Sequence, residues 1–242
     1  MFATVAVISL LALSPHQPAV QPTDYGWLWP DSEQPEKVSP FVYTPQEGDL
    51  IFFTTRKPFY VITYGLARSS HPYHSAIVVR NAEGVLSILE SGGDERNLVT
   101  VSELAMRLNF HHNRPPEKLP ISWVRQIRRP LTAEQSQLLT AFAYEQDGKR
   151  FTNTRELTKL LLPDFLRKPT TRDQEVWFCS ELLAAALKWS HITPADAFEP
   201  AHLTPRDMML DRHVDLRCSY RPAKRWSPTP CNLTTGPHCA PK

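Results

Sequence analysis

The sequence predicts one mixed domain of strands and helices with loose ends, and three observations carry that prediction. Aromatic and β-branched runs of strand length recur in the first half of the chain, at Glu47–Phe53, His74–Arg80 and Val85–Glu90. Two long helical patterns follow in the second half, one opening at Thr132 and one starting immediately after Cys179. Against 8 glycines there are 23 prolines, and they crowd residues 15–47 and 220–242, where a regular helix or strand is hard to continue.

The elements follow in order. Glu47–Phe53 opens on a turn pair and reads as a buried strand. Residues 59–68 place Tyr60, Ile62, Tyr64, Leu66 and Ala67 so as to predict a helix ending near Ser69. His74–Arg80, the turn Asn81–Gly84 and Val85–Glu90 together make a β-hairpin pattern. Val101–Leu108 predicts a short helix capped by Ser102, and Ile121–Ile127 another strand. From Leu131 to Gly148 the chain begins with a Thr132-x-x-Gln135 capping pattern and carries Leu138, Leu139, Phe142 and Ala143 on one face. Ser180–Ser190 is a Leu- and Ala-rich helix, and Thr204 with Pro205 starts a last short one.

At 242 residues the chain can bury a proper core, and 41% hydrophobic with 21% charged residues excludes wholesale disorder or a fibrous repeat. A net charge of +2, from 27 basic and 25 acidic residues, gives no field suited to a polyanion, so nucleic acid is not an expected partner. The cluster Arg125, Arg128 and Arg129 reads as a solvated strand end.

Met1 to Leu13 is apolar and uncharged, the length of a signal-peptide core and too short to span a bilayer. It predicts export, periplasmic or extracellular, with a buried N-terminal strand in a cytoplasmic protein as the alternative; Pro15 and Pro18 intrude where a cleavage site would lie. No later segment reaches transmembrane length, so no integral span is expected. Cys218, Cys231 and Cys239 fall at the C-terminal end, where Cys231 with Cys239 is the simplest disulfide, while Cys179 stands apart. A zinc site is the rival reading of these cysteines, but no CxxC or HxxxH spacing is present.

Cys179 is placed for nucleophilic chemistry, because a helix starts at its position. Unpaired N–H groups and the helix dipole there favour a thiolate, and the same N–H groups can hold an oxyanion. The alternative is a small buried hydrophobe. A nucleophilic thiol needs a base, and His71 and His74 lie just before an apolar strand, His74 as its first residue. Of the other histidines, His16, His213 and His238 sit in or beside loops or tails, and His111, His112, His191 and His202 lie at polar element ends where exposure is the default. Glu90 closes the partner strand of the hairpin. If Arg80 pairs with Gly84, Glu90 lies directly across from His74, whereas a one-residue slip turns it to the other face. Asp94 and Glu95 are the reserve candidates for this third group.

These segments in this order resemble the permuted branch of the NlpC-like, papain-fold superfamily, the group of YiiX- and YaeF-like proteins. Gly48–Phe53 looks like the family's opening strand, Ser69–Val79 like its histidine strand, and Ile88–Gly93 like the strand bearing its third polar residue. Residues 131–153 resemble the helix and Gly-Lys-x-aromatic turn before the nucleophile, and Trp177–Leu183 the nucleophile segment. Ser75-Ala76 departs from the Val-Gly that often follows the family's histidine, and His71 adds a competing imidazole.

The resemblance spans roughly residues 44 to 212. It implies an α+β, circularly permuted papain-like fold, an antiparallel sheet packed against helices, with Cys179 nucleophile, His74 base and Glu90 orienting group. The implied organisation is a signal peptide over 1–20, a Pro-rich linker over 21–43, a catalytic domain over 44–217 and a Cys-containing tail over 218–242. The expected activity is a thiol-dependent hydrolase of an amide, ester or thioester, a cell-wall peptide or an acyl lipid, with no cofactor or metal. A lipid acyltransferase, a non-catalytic binding module, and a metal site of His71, His74 and Cys179 are the competing readings.

Overall fold

Near-continuous apolar runs in an antiparallel sheet require strands covered on both faces. Such runs occur in β3 (Leu50–Phe53) and β4 (His74–Arg80), which lie next to each other at the sheet's centre. The computed structural model describes residues 25–30, 39–54, 69–93, 97–115, 120–152 and 169–229. Its main sheet has eight strands, adding β1 (Trp27–Trp29), β2 (Phe41–Val42), β5 (Leu86–Ser91), β6 (Val99–Glu103), β7 (Ser122–Arg125) and β10 (Lys224–Ser227). Their order is β2-β1-β10-β7-β3-β4-β5-β6, every neighbouring pair antiparallel. Two short strands, β8 (Arg150–Phe151) and β9 (Val176–Trp177), pair in parallel beside it.

The strand period of two separates the two layers of core. Leu50, Phe52, Ile77, Val79 and Leu89 face α2 (Ala133–Gln146) and α3 (Cys179–Trp189), packing with Leu139, Phe142 and the buried stripe of α3. Ile51, Phe53, Ala76, Val78 and Ile88 face the other way, toward Leu104 and Leu108 of α1 (Leu104–His112). A last helix, α4 (Pro205–Leu210), starts at Thr204 with the Thr204 and Asp207 side chains each capping the other's backbone N–H. The molecule is thus a mixed α+β structure, a large antiparallel sheet with four helices among the described residues.

Local signals place several elements as expected. Thr132 and Gln135 exchange hydrogen bonds of 3.1 Å at the start of α2, the reciprocal capping that the sequence predicts. Other expectations are corrected. The predicted helix over Val101–Leu108 is instead the end of β6 followed by α1, because Val99 and Val101 continue the sheet by pairing with Ser91 and Leu89. Ser102 lies in that strand rather than capping a helix.

Proline density misled at both ends of the chain. Residues 27–29, 41–42 and 224–227 fall in stretches read as linker and tail, yet all three are strands of the main sheet. The prolines bracket these strands and do not interrupt them: Pro30 follows β1, Pro40 precedes β2, and Pro222 and Pro228 flank β10. Arg125 is likewise no solvated strand end. It is fully buried and forms a bidentate pair with Asp211 at 2.7 and 2.8 Å, while Arg128 and Arg129 are exposed.

Among the described residues no helix is long and apolar enough to cross a membrane. The predicted signal peptide, the helix over 59–68, Asp94, Glu95, Cys231 and Cys239 lie outside the described residues.

Candidate active site

The thiol is held by its flanking chain. Cys179 is the first residue of α3, preceded by Phe178 in extended conformation, and Glu181 reaches back to accept from Phe178 N–H at 3.5 Å. Trp177 anchors the approach from three sides. Its carbonyl accepts from Ser91 Oγ at 2.9 Å and from Thr152 N–H at 3.0 Å, and its indole donates to Gln146 Oε1 at 2.9 Å. The Cys179 sulfur is consequently buried, 4.0 Å from the carbonyl oxygen of Tyr73.

His74 opens β4 at the same end of the sheet. Its Nε2 lies 2.7 Å from Glu90 Oε2, and the imidazole and the Cys179 thiol are close enough to shift each other's titration. The ring stacks on Phe53 with centroids 5.8 Å apart. The hairpin register differs from the one expected. Arg80 pairs with Leu86 and Ala76 with Glu90, so Glu90 sits diagonally from His74 rather than directly opposite. That is a slip of two residues, which preserves the face, and the two side chains still meet.

Glu90 is gripped from behind. Arg107 of α1 donates through Nε to Glu90 Oε1, and through Nη2 to Oε2 at 2.9 Å. Only 3% of Arg107 is exposed, and its guanidinium lies over Phe53, 4.5 Å from the ring centroid. Two glycines after Glu90 make this possible. A Cβ on Gly93 would overlap the Glu90 carboxylate, and Gly92, at φ +79°, passes directly under the Phe151 ring.

The electrostatics follow from burial set against contact charges. Burial drives the Glu90 carboxyl upward, but the Arg107 guanidinium and the His74 imidazole outweigh it and hold Glu90 at about 2. Burial alone would depress His74, yet its interactions with Cys179 and Glu90 raise it to about 9. The thiol responds in the opposite sense: desolvation pushes it up, and His74, followed by Ser75, outweighs this and leaves it below the ordinary thiol value. The interaction therefore shifts both groups toward their charged forms, thiolate and imidazolium.

The structure thus brings together Cys179, His74 and Glu90. The His71 ring packs against that of Tyr73, with centroids 4.4 Å apart. Among the described residues no group of three or more His, Cys, Asp or Glu side chains is placed to hold a metal ion. Sequence reasoning missed Arg107, although Leu104, Arg107, Leu108 and His111 fall at helical spacing on one buried stripe. An arginine in such a stripe demands a carboxylate. It also read His111 as exposed. His111 is buried against Phe53, and desolvation, with Arg107 nearby, lowers its pKa to about 3. Gly93 carried no signal apart from its place in the glycine pair.

No protein-family model matches the chain, and no curated protein matches it. Among solved structures, a match is the crystal structure of metalloprotein yiiX from Escherichia coli O157:H7, DUF1105, with a TM-score of 0.43 and 18% sequence identity. The match covers 70% of this chain and 83% of that one.

Proposed function

We propose that the chain is a thiol-dependent hydrolase that works through an acyl-enzyme, with Cys179 as nucleophile, His74 as proton carrier and Glu90 as orienting group. The observation that carries this reading is an imidazole held by Glu90 at 2.7 Å on Nε2 and set beside the buried thiol at the tip of α3, so that each shifts the other's titration. The thiolate attacks an amide, ester or thioester carbonyl carbon, forming a C–S bond. The backbone N–H of Cys179 holds the oxyanion. As the carbonyl re-forms, the bond to the leaving group breaks, and His74 gives that group its proton. Neutral His74 then takes a proton from water, which attacks the acyl-enzyme and releases the acid together with the thiolate.

The same reading takes the fold as a permuted papain-like one, since the base strand precedes the nucleophile helix in the chain. If the apolar run Met1–Leu13 exports the protein, an envelope or extracellular amide is the favoured substrate class. The decisive experiment combines the pH dependence of iodoacetamide labelling with mass spectrometry after exposure to a p-nitrophenyl ester. A thiol that labels well below the pH range of free cysteine, and an acyl adduct confined to Cys179 and absent in Cys179→Ala, support the proposal. Hydrolysis undiminished in Cys179→Ala overturns it.

A further inference from the structure

We infer that Ser75 is a positioning residue for the nucleophile, its hydroxyl and backbone N–H donating to the Cys179 sulfur when that sulfur carries negative charge. The inference rests on the thiol-dependent reading above.

Ser75 follows His74 in β4 and shares the strand parity of Ile77 and Val79, so its side chain points to the α3 side of the sheet while His74 points to the α1 side. Ser75 is fully buried, and its Oγ has no hydrogen-bond partner among the described residues. The place it occupies is a break in the sheet. The β4–β5 register runs from Arg80↔Leu86 only as far as Ala76↔Glu90. One residue further on, Ser91 turns its Oγ to the carbonyl of Trp177, and the nucleophile segment takes up the space between the strand ends. The sulfur lies 4.0 Å from the carbonyl of Tyr73, two residues before Ser75, and the amide and hydroxyl of Ser75 both act to lower the Cys179 pKa.

A buried hydroxyl with no hydrogen-bond partner is ordinarily a defect. Here the group beside it changes character with protonation. A thiol sulfur is a poor acceptor, whereas a thiolate is a charged one that makes a strong, short hydrogen bond. Ser75 is therefore satisfied only in the ionised state of the site, and it favours that state. The charged and titratable groups around the sulfur are His74 from β4, with Glu90 of β5 and Arg107 and His111 of α1 behind the imidazole, and Glu181 on its own helix. Ser75 differs from all of them in being an uncharged donor whose contribution persists whatever their ionisation.

The test is titration of the Cys179 thiolate by its ultraviolet absorbance, corrected with Cys179→Ala, in the wild type, Ser75→Ala and Ser75→Thr, beside thermal unfolding of each. We expect the wild-type midpoint to lie well below that of free cysteine. Ser75→Ala raises the midpoint by about one unit, about a tenfold loss of thiolate at lower pH, without loss of thermal stability. Ser75→Thr, which keeps the hydroxyl, keeps the wild-type midpoint. A Ser75→Ala protein that melts earlier yet titrates like wild type shows a purely structural serine and overturns the inference. A wild-type thiol that already titrates like free cysteine sinks the nucleophile reading itself, and the role of Ser75 with it.

Discussion

Glu90 and Asp49 are both buried carboxylates, and their surroundings drive them in opposite directions. Glu90, between His74 and the guanidinium of Arg107, is held at about 2 although burial opposes its charge. Asp49, just before β3, accepts from Tyr43 Oη at 2.9 Å, Gln46 N–H at 3.0 Å and Ile127 N–H at 2.8 Å. Desolvation outweighs those three neutral donors, and its carboxyl rises to about 6. Three good hydrogen bonds thus do less for a buried charge than a guanidinium and an imidazole in contact with it. The site end of the sheet is built to keep charge at neutral pH, and the Asp49 end sheds it on mild acidification.

The largest test of this contrast is removal of the cation. Arg107→Met leaves Glu90 buried with only His74 to balance it, and is expected to lose about 3–5 kcal/mol in urea unfolding. An unchanged midpoint would mean that the guanidinium is not what holds the carboxylate ionised. The second test uses pH. Because Asp49 is raised in the folded state, its contribution to stability is present below its ordinary value of 3.8 and is lost as pH rises through about 6. Wild-type stability measured against Asp49→Asn should therefore fall by about 3 kcal/mol between about pH 4 and about pH 7. Glu90 has the opposite sign: its contribution is present above 4.5 and lost as pH falls through about 2, so its removal should matter least at extreme acidity.

Smaller effects sharpen the comparison. Gly93→Ala should displace the Glu90 carboxylate and cost about 1–3 kcal/mol by chemical denaturation, with His74 titrating lower by NMR. Tyr43→Phe removes one donor from Asp49, should raise its pKa further, and should cost about 1 kcal/mol at neutral pH.

How far the sequence could be read follows the range of each signal. The capping pair Thr132 and Gln135 and the tip of α3 at Cys179 are settled within a few residues, and both were legible. The hairpin was legible in a weaker sense. The expected register was wrong by two residues, yet Glu90 still meets His74, because the face of a strand depends only on the parity of the slip. Arg107 was not legible as a partner of Glu90, since it arrives on a helix that the pattern misplaced by several residues. The strands at 27–29, 41–42 and 224–227 were hidden because proline content says where a strand must stop, but not whether one fits in between.

What the chain alone decided is local: where helices begin, which side chains share a strand face, and that a cysteine starts a helix while a histidine starts a strand. These follow from periods of 3.6 and two residues acting over one or two turns. The partners were decided by the packed sheet. Which cation meets Glu90, which gap receives Trp177 and Cys179, and which buried carboxylate keeps its charge all depend on groups distant in sequence. Only close packing of both sheet faces brings these groups into contact and removes the water that would otherwise screen them.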